Sequence, residues 1–156
     1  MATVYMIHGY LGAGKTTFAR ELEQNLPALR FTHDEWMLRL YGEDPSPEQF
    51  QVFFDRVSER IEALWTRCIA LGLDVVLDLG FWSRKQRDEV RSTAAMLGAG
   101  VQLYRLSCTD GEAWARIEQR NRALTDSLFI ARNTFLVLRN RFELLDDDEA
   151  RIEVSA

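Results

Sequence analysis

The sequence predicts an α/β fold: a mostly parallel five-stranded sheet with helices on both faces. Three observations carry this expectation. Short apolar runs alternate with stretches of helical length along the whole chain. Most of those stretches open on a capping signal and stop at glycine or proline. The 156 residues make one domain, residues 1–156, long enough to bury a core without disulfide or metal staples.

Each element has its own signal. Val4 to His8 is the first strand, and a glycine-rich turn follows it. The first helix spans about Lys15 to Asn25 and stops at Pro27. Leu29 to His33 is a short second strand. Thr32-His33-Asp34-Glu35 has capping-box spacing, which starts a helix near Glu35 that ends at Tyr41-Gly42. Ser46-Pro47-Glu48-Gln49 is a fuller start signal, with an N-cap serine, proline at the first helical position and glutamine three residues after the cap. That helix runs to about Leu71, with Gly72 as its stop. Val75-Val76-Leu77 is the third strand and leads into Asp78-Leu79-Gly80. Ser83-Arg84-Lys85-Gln86 is another capping box, opening a helix to about Leu97 that Gly98 and Gly100 end. Val101 to Leu106 is the fourth strand. Thr109-Asp110-Gly111-Glu112 caps a helix through about Gln119. Asn121 to Ser127 reads as a loop, Leu128 to Leu145 as the last helix, Asp146 to Glu149 as a solvated turn and Arg151 to Val154 as the fifth strand.

Composition narrows the class. With 47% hydrophobic and 28% charged residues the chain is an average globular protein, which excludes disorder, collagen-like repeats and a disulfide miniprotein. No run approaches ~18 consecutive apolar residues, so no membrane span is expected. Met1 to Tyr5 lacks the basic start of a signal peptide. With only Cys68 and Cys108, reduced thiols in the cytoplasm are the expectation. The net charge of −5 disfavours a non-specific nucleic-acid binder, although it is compatible with a local basic patch. Of the 19 basic residues, 17 are arginine, so Lys15 and Lys85 stand out.

The motif that decides the chemistry is Gly9-Tyr10-Leu11-Gly12-Ala13-Gly14-Lys15-Thr16, which matches the P-loop pattern G-x-x-x-x-G-K-[ST]. In a chain of this composition it arises by chance about once in a thousand sequences. It also sits between an apolar strand and a helix, the context it needs. Glycines let successive backbone N–H groups turn toward phosphate oxygens, and the following helix adds its N-terminal partial charge. Residues Gly9 to Thr17, including Thr17, thus form a nucleotide-phosphate cradle. Lys15 reaches the β/γ-phosphates and Thr16 offers its hydroxyl to Mg²⁺. Val75-Val76-Leu77-Asp78, an apolar strand ending in an acid, has the Walker-B pattern and makes Asp78 a Mg²⁺ partner; the alternative is a turn-forming aspartate. No N-K-x-D guanine motif is present.

The P-loop, the strand-end Asp34 about 20 residues later, Asp78 and the arginine-containing helix from Arg116 to Arg120 together resemble small P-loop kinases. The pattern is similar to the zeta-toxin-like branch, AAA_33, which includes the polynucleotide 5′-hydroxyl kinase domain and chloramphenicol phosphotransferase. The resemblance spans about residues 3–150. It implies a three-layer P-loop NTPase fold with a helical lid at about 112–130, and ATP with Mg²⁺ as cofactors. Phe142-Glu143 resembles the end of that branch's last helix.

Asp34 stands where an open parallel sheet binds its ligands, outside a strand's carboxyl end. A carboxylate there can take the proton of an acceptor hydroxyl, which is the role the resemblance implies. The alternative is a first-turn acid that stabilises a helix N-terminus by roughly 0.3–1 kcal/mol. His33 fits packing or capping better than base chemistry. Arg116 and Arg120, four apart, share a helix face. The resemblance makes either of them a lid arginine on the transferring phosphoryl group, ahead of Arg122. Arg39, five residues past Asp34, is either a substrate contact or a surface charge. Phe81 and Trp82, just after Asp78, either wall the acceptor pocket or pack in the core.

The leading reading is a Mg²⁺- and ATP-dependent kinase acting on a hydroxyl of a small molecule, a metabolite or an antibiotic. The alternatives are a nucleotide or polynucleotide 5′-hydroxyl kinase, which calls for a basic acceptor groove, and a non-kinase P-loop NTPase switch that signals to a partner. No residue pattern sets the oligomeric state, and only the resemblance favours ATP over GTP.

Overall fold

The computed structural model describes residues 1–42, 44–123 and 129–155. Five strands form one sheet: β1 (Thr3–His8), β2 (Ala28–Thr32), β3 (Asp74–Gly80), β4 (Gly100–Ser107) and β5 (Ile152–Ser155). Their spatial order is β2-β3-β1-β4-β5, and every pairing is parallel. All strand carboxyl ends therefore open on one edge. Helices α1 (Lys15–Asn25), α2 (His33–Tyr41), α3 (Pro47–Ala70), α4 (Arg84–Met96), α5 (Asp110–Ala123) and α6 (Arg132–Leu138) connect and flank them.

The pleat divides the core. Val4, Met6, Val75 and Leu77 point to the face covered by α3 through Val57, Ile61, Trp65 and Ile69, with Met37 of α2 and Ala94 of α4. Ile7 and Val76 point the opposite way, to Ala19 and Phe18 of α1. The two-residue period of the apolar strands thus becomes two helical layers around a sheet. A third cluster at the carboxyl edge joins Tyr10 to Ala113 and Ile117 of α5 and Phe135 of α6.

Four expectations are corrected. The chain after α5 does not form one helix from Leu128 to Leu145: α6 is short, a single 3₁₀ turn (Arg139–Arg141) follows, and Phe142 is extended. Phe142-Glu143 is therefore not a helix end; Glu143 N–H donates to the Trp82 carbonyl at 2.7 Å, tying this segment to the turn after β3. Asn121 lies inside α5, not in a loop, and its side-chain amide grips both backbone groups of Ile130 at 2.7 and 3.1 Å. The rest of that loop and the start of the expected last helix, at 124–128, fall outside the described residues. The acidic turn is not wholly solvated either. Glu149 is 4% exposed and pairs with Arg87, which has no exposed surface.

Candidate active site

The site begins where β1 stops. Gly12 and Gly14 adopt left-handed backbone, φ 78° and 91°. At Gly12 a Cβ would lie 2.4 Å from the Ala113 carbonyl oxygen, so the close seating of α5 on the loop requires glycine there. Gly14 is the N-cap of α1 and supplies no side-chain cap, and the first turn holds no acid. The first N–H groups of α1 therefore have no intrahelical partner and no capping side chain. By contrast, Ser46 and Ser83 cap α3 and α4 through Gln49 and Gln86. An uncapped N-terminus with its positive end presented at a strand edge suits an anion such as phosphate.

Lys15 folds back over this loop. Lys15 Nζ donates to the Tyr10 carbonyl at 3.1 Å. Burial lowers the Lys15 pKa, and the carboxylates of Asp78 and Asp34 oppose that shift. Tyr10 and Leu11, variable positions of the motif, anchor the loop: the Tyr10 hydroxyl donates to the Phe135 carbonyl, and its ring packs among Trp82, Phe135 and Phe142.

Asp78 sits beside Lys15 at the end of β3 and is 4% exposed. Its Oδ2 accepts from Thr16 Oγ1 at 2.9 Å and from Thr32 Oγ1 at 3.0 Å. Burial raises its pKa; Lys15 and the two hydroxyls pull it down. The Thr16–Asp78 contact brings two hard oxygen ligands together. Among the described residues no three His, Cys, Asp or Glu side chains form a metal cage. That donor set fits Mg²⁺, which keeps its waters and shares phosphate oxygens with one or two protein ligands.

Asp34 lies exposed in the first turn of α2. Thr32, two residues earlier at the end of β2, is the register partner of Asp78 in β3, so Asp34 follows a strand end beside Asp78; its carboxylate favours the charged forms of Lys15 and Arg120 and opposes that of Asp78. The two helix arginines separate here. Arg116 Nη1 donates to the Gly12 carbonyl at 3.2 Å and so grips the P-loop backbone. Arg120, one turn on, feels Asp34: the protein around it lowers its pKa, the Asp34 carboxylate opposes this and Arg116 adds to it. Arg122 is engaged at the surface with Glu118, 3.0 Å away.

The remaining residues take distinct places. Arg39 is exposed in the last turn of α2, about 140° round the helix from Asp34. Phe81 has no exposed surface; it packs in the core, with a left-handed φ of 52°. Trp82 is half-buried, its ring tilted about 40° to that of Tyr10 at 5.3 Å, with its indole close to Gly80. His33 is 6% exposed and bonded to Ser58 Oγ at 3.1 Å, as a packing residue would be. A cavity of about 60 Å³ on the β4 side of the loop is lined by Leu11, Cys108, Asp110 and Arg139, away from Asp34.

Thr32 is the site residue the sequence reading missed. Its capping-box spacing masked it: the structure shows no side-chain cap from Thr32, and Glu35 pairs with Arg20 and Arg30 instead of closing the box. The usable signal was register, because Thr32 and Asp78 are direct neighbours across β2 and β3. Arg87 was missed as well. It donates to the Phe81 carbonyl at 2.9 Å, the same oxygen that receives His8 Nδ1–H at 3.0 Å, and so holds the turn after β3.

The AAA_33 family model, described as an AAA domain, matches residues 4–145. No curated protein matches the sequence. Among solved structures, a kinase candidate from Chloroflexus aurantiacus aligns with TM-score 0.80 and 14% identity, over 99% of this chain and 88% of that one. A chain of the Pnkp1/Rnl/Hen1 RNA repair complex aligns with TM-score 0.73 and 19% identity, over 90% of this chain and 43% of that one. A gluconokinase from Sinorhizobium meliloti aligns with TM-score 0.61 and 15% identity, over 99% of this chain and 81% of that one. At these identities the likeness is one of fold.

Proposed function

The chain belongs to the AAA_33 family of AAA domains, and from that premise we propose that it is a Mg²⁺- and ATP-dependent phosphotransferase whose acceptor is a hydroxyl of a small molecule. The observation that carries the reading is the convergence at one sheet edge. An uncapped helix N-terminus, Lys15, the Thr16–Asp78 pair and an exposed carboxylate at Asp34 all meet there. A nucleotide hydrolase needs the first three; a carboxylate on the acceptor side is what phosphoryl transfer to a hydroxyl adds.

Bound Mg²⁺·ATP supplies the phosphoryl group and neutralises its charge. Gly9 to Thr17 would hold the phosphates through backbone N–H groups, and Thr16 and Asp78 would hold the metal. Lys15 and Arg120 present positive charge where negative charge develops on transfer. Arg116 keeps the P-loop in shape through the Gly12 carbonyl. Asp34 orients the acceptor hydroxyl and takes its proton. Trp82 borders the acceptor side.

A small acceptor is favoured over a polynucleotide by the charges near α2. Arg20 and Arg30 are tied to Glu35, and Arg30 also to Glu23, so they do not offer a basic groove. The two free cysteines, Cys68 and Cys108, fit a cytoplasmic setting.

The test is ADP release from Mg²⁺·ATP, alone and with pools of sugars and other hydroxyl compounds, nucleosides, and 5′-hydroxyl oligonucleotides. Stimulation by one pool, abolished in Lys15→Ala, is the expected result. Asp34→Asn should bind nucleotide normally and lower transfer by at least ~10²-fold. Slow release that no acceptor changes would instead support a nucleotide switch.

A further inference from the structure

We propose that Thr32 and Arg30 are positioning residues for the metal end of the site, a role that rests on the nucleotide–Mg²⁺ reading above. Arg30 Nη1 donates to Thr32 Oγ1 at 2.6 Å, and a guanidinium has no acceptor to offer in return. The single hydroxyl proton of Thr32 is thereby committed to Asp78 Oδ2, 3.0 Å away. Thr16 Oγ1 donates to the same oxygen. Two hydroxyl donors on one carboxylate oxygen, from β2 on one side and α1 on the other, fix the plane of the buried Asp78 side chain.

Arg30 is itself held. Its Nε donates to Glu23 Oε2 at 2.9 Å, and the Nη1 that reaches Thr32 also donates to Glu35 Oε1 at 2.9 Å. Arg20 grips that Glu35 oxygen from α1 at 2.9 Å. A chain of polar contacts thus runs from α1 and α2 through Arg30 and Thr32 to Asp78. Glu35 follows Asp34 directly, so the helix that carries the proposed base is anchored to the group that orients the metal ligand. Outer residues that orient metal ligands commonly govern metal affinity by about 10–100-fold.

The test reads binding rather than turnover. Calorimetry would give the affinity for ADP with Mg²⁺ and with EDTA, and the ratio is the gain that Mg²⁺ confers. In Thr32→Val the gain should fall about tenfold or more while the EDTA affinity stays within about twofold, and Thr32→Ser should restore it. Arg30→Met should weaken the gain in the same way, and it carries the test alone if Thr32→Val does not fold. A full Mg²⁺ gain in a folded Thr32→Val or Arg30→Met protein would overturn the positioning role and leave the kinase reading untouched. Wild-type protein with no Mg²⁺-dependent ADP binding would overturn both. Loss of ADP affinity in EDTA as well would overturn it in favour of a purely structural part.

Discussion

Two aspartates near the carboxyl ends of neighbouring strands live in opposite surroundings, in keeping with the different roles proposed for them. Asp78 is buried and held by two hydroxyls, as a fixed ligand is. Asp34 is exposed on a helix N-terminus, able to meet an incoming molecule. His8, immediately before the P-loop, gives a residue-level prediction. Burial lowers its pKa to about 4, despite the bond to the Phe81 carbonyl that favours the charged form. The unfolded chain then binds the extra proton between about pH 6.5 and pH 4, so stability present above that window is lost as pH falls through it. The loss from this residue is on the order of 3 kcal/mol. Urea unfolding at pH 7 and pH 4.5 should show the decline, and His8→Gln should flatten it, leaving the smaller share of His33, whose pKa burial also lowers.

At the scale of elements, the seam between α4 and the chain after α6 carries a buried ionic clamp. Arg87 meets both oxygens of Glu149, at 2.8 and 3.0 Å, together with the carbonyls of Phe81, Glu143 and Leu144. Burial raises the Glu149 pKa, but bonds from Arg87 and Arg91 outweigh it and hold the carboxyl at about 2. Its stabilisation is complete above about pH 4.5 and drains away as pH falls toward 2. Arg87→Met removes one partner and leaves the other buried, so it should cost roughly 3–5 kcal/mol in urea unfolding. The double variant Arg87→Met/Glu149→Leu should cost less than the sum of the two single changes. Because Arg87 also secures the turn that carries Trp82, the clamp ties the far segment of the chain to the site edge.

For the molecule as a whole, the parallel sheet is what makes a site. Its strands all end on one side, and β1, β2 and β3 bring the P-loop, Asp34 and Asp78 to neighbouring positions. A ligand that binds only this assembled edge must stabilise the whole fold. Mg²⁺·ADP at about 100 times its Kd should add about 2.7 kcal/mol, a rise of roughly 5–10 °C in Tm. Lys15→Ala should remove most of that rise without lowering the Tm of the unliganded protein by a comparable amount. Among the described residues, no helix is long and apolar enough to cross a membrane.

Local patterns in the sequence determined the strands, the first five helices, the P-loop and the strand-end acids, because period, caps and glycine turns act between residues a few positions apart. The N-terminus of α1 at Lys15 and the serine caps of α3 and α4 were legible for that reason. Only the tertiary structure decided which polar groups meet across long separations. Thr32 carries a capping signature yet turns to Asp78, because strand pairing sets an anionic acceptor beside it. Arg116 and Arg120 are equivalent by spacing, but only Arg116 is shown to hold the P-loop, through the Gly12 carbonyl. The acidic turn reads as solvated until Arg87, 62 residues away, buries Glu149. A charge's partner is a matter of packing, and packing is set by the whole chain at once.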